Sequence, residues 1–143
     1  MDPITELIAK QACAELITRY AIAVNDWNLD AFVDLFHEDA EWHRPGDHIM
    51  RGREEMRAYL LSQPQPPAER TLRHVNGGIL IEVTDDNNAT AWSQTTVYDT
   101  GPSATLPAAM VGPDMVVEYC DRLVRRDGRW RLMLRSTTQV FKA

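Results

Sequence analysis

The chain has 143 residues, 44% of them hydrophobic and 25% charged, with a formal net charge of −6. That length suits one domain, 1–143, with a real core, and the acidic balance argues against a nucleic-acid or anionic-membrane partner. Asp2, Glu6 and Lys10 break up the first apolar steps, so the N-terminus reads as neither a signal peptide nor a membrane span.

Pro3 can open a helix behind an Asp2 cap. Over 4–26, Leu7, Ile8, Ala12, Leu16, Tyr20, Val24 and Trp27 recur every three to four residues, which predicts a long amphipathic helix. Asn28 is placed to cap a short second helix over 29–36. A short strand over 40–44 stops at Pro45-Gly46, and a third helix over 52–61 stops before Pro64. Two hairpins follow, 72–84 with 89–100 and 115–126 with 129–141, the second joined by the strong turn signal Asp127-Gly128. Between them 101–113, rich in proline and small residues, reads as a mobile loop and a candidate lid. Three helices and a four-strand antiparallel meander make an α+β domain, with a conical pocket between helices and a strongly bent sheet. The last strands carry apolar residues on both faces, so a homodimer across the sheet is expected. Cys13 and Cys120 have no metal-ligand spacing; free buried thiols in a reducing, cytoplasmic compartment are the reading that follows.

His74 stands at the entry of a predicted strand between Arg73 and Asn76. Histidine titrates near neutral pH, so one held rigidly can carry a proton; a hydrogen-bonded structural histidine is the competing reading. His43 and His48 are split by a Pro-Gly turn, which is no ligand pattern, and no metal site is expected. The chain has neither a glycine-rich phosphate loop nor a nucleophile motif, so no cofactor is expected either. Trp42, His43, Tyr98 and Tyr119 are candidates for a substrate-binding wall, with core or dimer-interface packing as the alternative for the two tyrosines and core for Trp42.

The order of elements carries a further signal. Arg19-Tyr20 in the first helix is followed by Leu35-Phe36-His37-Glu38-Asp39-Ala40-Glu41-Trp42, then Arg73-His74, then Asp127-Gly128-Arg129-Trp130 leading to Arg135. Over nearly the whole chain this resembles the SnoaL-like branch of the nuclear-transport-factor-2-like superfamily. The resemblance implies a cone-like α+β barrel, three N-terminal helices packed on a strongly bent, mostly antiparallel sheet. Its catalytic members, dehydratases and dehydrochlorinases, imply a His–Asp pair that removes a proton and expels a leaving group without cofactor or metal. On this resemblance the base falls on His74, the last-strand arginine on Arg135 and the helix tyrosine on Tyr20. The aspartate falls on Asn25, which can fix a ring tautomer but supplies no charge. The expected function is a cofactor-independent lyase, a dehydratase or related elimination including C–C cleavage with loss of formaldehyde. Its substrate would be a hydrophobic aromatic or polycyclic small molecule. A non-catalytic small-molecule-binding domain, a ketosteroid-isomerase-like isomerase and a structural subunit resembling a dioxygenase β subunit are the alternatives, because one fold hosts them all.

Overall fold

Asp2 caps the first helix as its position predicts: its Oδ1 accepts from the backbone N–H groups of Ile4 and Thr5 at 3.1 and 3.0 Å. Helix α1, Pro3–Asn25, buries Cys13, Leu16, Ile17, Tyr20 and Val24 along one stripe. The computed structural model describes residues 1–102 and 105–143. In it Leu7 and Ile8, expected on that stripe, are exposed, because the first turns of α1 contribute only Ala9 to the core. Among the described residues no helix is long and apolar enough to cross a membrane.

Helix α2 spans Leu29–Asp34 under an Asn28 cap and stops two residues before its predicted end. Phe36 instead opens strand β1, Phe36–Arg44, which is longer than expected and puts His37 in a strand rather than at a helix end. A second strand, β2 (His48–Arg51), pairs antiparallel with β1 and was not foreseen. Helix α3, Gly52–Leu61, matches the expected span and is tied to the start of β1 by Arg53, whose Nε and Nη2 donate to the Phe36 carbonyl at 3.0 and 2.6 Å.

The long strands β3 (Thr71–Asp85), β4 (Asn88–Thr100), β5 (Met115–Arg126) and β6 (Arg129–Lys142) form the expected antiparallel meander. Asp127 and Gly128 turn the last hairpin with φ values of 53° and 73°, the left-handed pair that a twisted two-residue hairpin requires. The sheet is not the meander alone. Strand β1 adds to β6 in parallel, giving the order β2-β1-β6-β5-β4-β3, a curved sheet that remains open between β2 and β3. Register shifts between Asn76 and Gly78 in β3 and between Arg122 and Leu123 in β5 bend it.

The helices cover the concave face, where Tyr20, Phe32, Phe36 and Trp42 make an aromatic cluster with centroids 5.1–6.4 Å apart. The opposite face is more polar than expected, with Thr90, Gln94, Glu118, Arg122 and Thr138 among Leu80, Trp92 and Leu134. Cys13 is buried and free, but Cys120 is exposed, contrary to the expectation of two buried thiols. In the 101–113 segment Leu106, Met110 and Val111 are exposed; Ser103 and Ala104, part of the expected lid, lie outside the described residues.

Candidate functional site

Helix α1 ends where the site begins. After Asn25 comes Asp26 as C-cap and then Trp27 in the left-handed region at φ 54°. The Trp27 N–H donates to the Val24 carbonyl at 3.1 Å and the Asn28 N–H to the Ala23 carbonyl at 2.9 Å, the paired bonds of a Schellman ending. Glycine usually fills that left-handed position, so a tryptophan there carries backbone strain.

This ending holds Asn25 against β3. Asn25 Oδ1 accepts from the His74 backbone N–H at 2.8 Å and lies 3.0 Å from His74 Nδ1. The backbone donor decides which end of the amide faces His74, since an N–H cannot donate to the amide nitrogen. The ring nitrogen sharing that oxygen therefore carries the proton of the neutral imidazole. Nδ1 is the N–H, and Nε2 keeps its lone pair. Asp26, one residue on, is exposed and takes no part in this pairing.

His74 lines a cavity of about 180 Å³ between the helices and the concave sheet face, and Asn25 stands behind the ring outside it. Tyr20, Trp27, Trp42, Tyr59 and Tyr119 supply aromatic wall, and Leu72, Val97 and Val117 supply aliphatic wall. The charged residues on the wall are Arg44, Arg70 and Asp99, the last two paired at 3.1 Å. A roomier open groove, about 570 Å³, lies between α1, α2 and the Gly128 turn. It holds no histidine, and its Asp34 and Arg129 pair with each other, so the smaller cavity is the one that brings a histidine to an apolar space.

Electrostatics sharpen the picture. Burial, then the positive charges of Arg44, Arg135 and Arg70, push the His74 pKa down to about 4. The ring is thus neutral through the physiological range. Burial, reinforced by Tyr119, raises the Tyr20 phenol above its usual range, so Tyr20 can donate but does not ionise. Burial also raises the Asp99 carboxyl, against the opposing charge of Arg70. Together these groups offer a neutral base, hydroxyl donors and cations around an apolar space.

Of the residues singled out from the sequence, Tyr20, Trp42, His74 and Tyr119 meet at this cavity. Arg135 does not reach it. It is completely buried behind the tyrosines, with its guanidinium carbon 4.1 Å from the Tyr20 ring centroid and 3.8 Å from that of Tyr119. Its Nε and Nη2 donate to the Asp121 carboxylate at 2.9 and 2.8 Å. Burial works against the charge, but Asp121 more than offsets it and Arg135 stays cationic. His43 and Tyr98 are corrections. His43 follows inward-facing Trp42 and turns away, its Nε2 2.7 Å from Glu41 Oε1. Tyr98 sits between inward-facing Val97 and Asp99, so it lies on the other sheet face beside Arg73, Val75 and Met110. His48 packs edge-on to Tyr59 at 5.0 Å between centroids.

Arg44, Arg70, Asp99 and Trp27 were not singled out as site residues. Arg44 was within reach: it lies two residues after Trp42 and so shares its face. Asp121 was hidden. Regular counting from the Asp127-Gly128 turn sets Arg135 opposite Cys120, and the register shift at Arg122/Leu123 moves it opposite Asp121.

Helices laid on the concave face of a bent, open sheet, around a polar-studded apolar cavity, define the cone-shaped α+β class of small-molecule domains. The chain belongs to the SnoaL-like domain family, whose profile matches residues 5–136, within the nuclear-transport-factor-2-like superfamily. A provisionally named scytalone dehydratase from Novosphingobium aromaticivorans shares the fold at TM-score 0.84 and 18% identity, over 99% of this chain and 91% of that one. The LinA-type3 hexachlorocyclohexane dehydrochlorinase from Novosphingobium barchaimii matches at TM-score 0.78 and 17% identity, over 99% and 93%. A function-unknown protein from Mycobacterium tuberculosis is 29% identical at TM-score 0.79, over 97% of this chain and 76% of that one. No curated protein matches the chain in sequence.

Proposed function

We propose that this protein is a cofactor-independent lyase that eliminates a small leaving group from a hydrophobic small molecule, with His74 as general base. One observation carries the reading: Asn25 Oδ1 binds both the backbone and the ring of His74, which leaves Nε2 unprotonated on the cavity side. In this reading Nε2 takes a proton next to an activating group, and Tyr20 or Tyr119 donates to the substrate oxygen. Asn25 is a positioning residue that fixes the tautomer without lending charge. A cavity of about 180 Å³ favours a single-ring substrate over a polycyclic one. Mass spectrometry of the small molecule that co-purifies supplies the compound to assay. The expected result is a product lighter by the leaving group and the one proton that His74 takes, with loss of a deuterium label placed on the reacting carbon of the substrate, neither of which the His74→Ala protein should show. No product and no loss of label with any cavity ligand would leave a non-catalytic binding domain, the reading that the missing carboxylate favours.

Asn25→Asp tests the positioning role. The carboxylate can keep both hydrogen bonds and adds a negative charge at 3.0 Å from Nδ1, which stabilises the imidazolium. The His74 pKa should therefore rise from about 4 by one unit or more, and the acid limb of kcat/KM should move upward with it. An unmoved imidazole titration by NMR would show that the pair does not govern the base.

We propose in addition a homodimer through the outer sheet face, where Val75 and Leu80 are exposed beside half-buried Trp92. Sedimentation should give twice the chain mass at micromolar concentration, and a monomer there would rule it out. The two unpaired cysteines fit a reducing, cytoplasmic setting.

A further inference from the structure

Three residues of the cavity wall carry buried donors without an acceptor among the described residues. The indole N–H groups of Trp27 and Trp42 and the Nε–H of Arg70 are buried and have no hydrogen-bond partner among the described residues. Trp42 is 2% exposed, so water does not serve it freely. Burying such a donor without an acceptor is costly, and a cost of this kind marks a region kept for more than packing.

Charge points the same way. Arg70 is balanced by Asp99, and Arg135, behind the wall, by Asp121. Arg44 forms no ion pair among the described residues. Its guanidinium carbon rests 5.5 and 5.7 Å from the ring centroids of Trp42 and Tyr59. Stacking on rings leaves the in-plane N–H fork open to a planar oxyanion. Arg44 is thus the one cation on the cavity wall without an ion-pair partner among the described residues, set among aromatic and aliphatic side chains. Its volume, about 180 Å³, is close to that of engineered cavities that admit benzene, about 150 Å³.

We propose that the occupant is a single-ring aromatic anion whose charged oxygen, a carboxylate or a phenolate, seats on Arg44 beside Trp42 and Tyr59. This rests on the cavity being the substrate site and adds the substrate's charge to that reading. The anion also places a negative charge near His74, whose neutral form burial and the charges of Arg44, Arg135 and Arg70 otherwise favour. The base is strengthened by the ligand itself, so it becomes competent only when the ligand is in place.

Calorimetric titration with benzoate against neutral benzamide, and with 4-nitrophenolate against neutral 4-nitroaniline, separates charge from shape and the two oxygen classes from each other. At least one anion should bind about 10-fold or more tighter than its neutral partner. Arg44→Gln should remove that preference and leave the neutral compound's affinity as it was, whereas Arg44→Lys should keep part of it. In the NMR titration of His74, the bound anion should raise the imidazole pKa in the wild type and not in Arg44→Gln. Equal affinity for anion and neutral partner would overturn the proposal. So would no binding of either anion at millimolar concentration, or an Arg44→Gln protein that loses both compounds equally. An Arg44-dependent anion site without elimination would keep this inference and remove the lyase reading. Elimination from neutral compounds with Arg44 dispensable would do the reverse.

Discussion

Replacing His74 with alanine is expected to lower kcat by about 10²-fold or more, since a positioned general base is typically worth about 10²–10⁴ in rate. The fold should survive. The bond from the residue-74 backbone N–H to Asn25 Oδ1 does not need the ring, and the half-buried side chain lines a cavity rather than filling the core. With the His74 pKa near 4, the wild-type kcat/KM should hold steady from neutral pH down to about 5 and fall below that; in the variant that limb should vanish. Stability carries a matching signature. The folded pKa lies below the unfolded value of about 6.5, so the unfolded chain takes up the proton first as pH falls. The contribution of His74 is complete above the unfolded pKa and is lost as pH falls through the window from about 6.5 to 4. Urea unfolding at about pH 5 and pH 7 should show a smaller acid loss in His74→Ala than in the wild type. A fall in kcat of less than about threefold would remove His74 from the role of base.

The largest stability effect should come from the pair behind the cavity. Asp121→Ala is expected to cost about 3–5 kcal/mol, because it strands a fully buried guanidinium between two tyrosine rings. Arg135 Nη1 already lacks a partner among the described residues, so the pair with Asp121 carries the charge. The double replacement Asp121→Leu with Arg135→Met removes both charges and should recover most of that loss. Urea midpoints for the single and double variants provide the measurement. A single-variant loss below about 1 kcal/mol would mean that the charge finds another route to water.

Local signals made much of the fold legible. The caps at Asp2 and Asn28, the stop before Pro64 and the Asp127-Gly128 turn each act within a few residues, and the elements that they bound appear near the expected places. The parallel pairing of β1 with β6 depends on segments far apart in the chain, and β2 is only four residues long, so neither had a periodic signature. His74 drew notice by its chemistry, but its partner Asn25 came through family resemblance, since no spacing links a helix end to a strand 49 positions on. Tyr98 was assigned to the cavity although the alternation of Val97 and Asp99 turns it outward. Arg135 was seen without Asp121, because a one-residue bulge changes which residue lies across the hairpin.

The β1–β6 seam bears on how the cavity is made. The meander grows by neighbouring hairpins, whose closure is entropically cheap. Trp42 and Arg44 join it through β1, which finds its place against β6, about ninety positions on. Loop-closure cost thus falls most heavily on the wall that bears the free cation. A chain still emerging from the ribosome can pair β3 with β4, yet it has no strand on which to lay that wall. Ligand binding is expected to report formation of β6, and fraying of the β1–β6 seam should open the cavity while the β3–β4–β5 pairing stands.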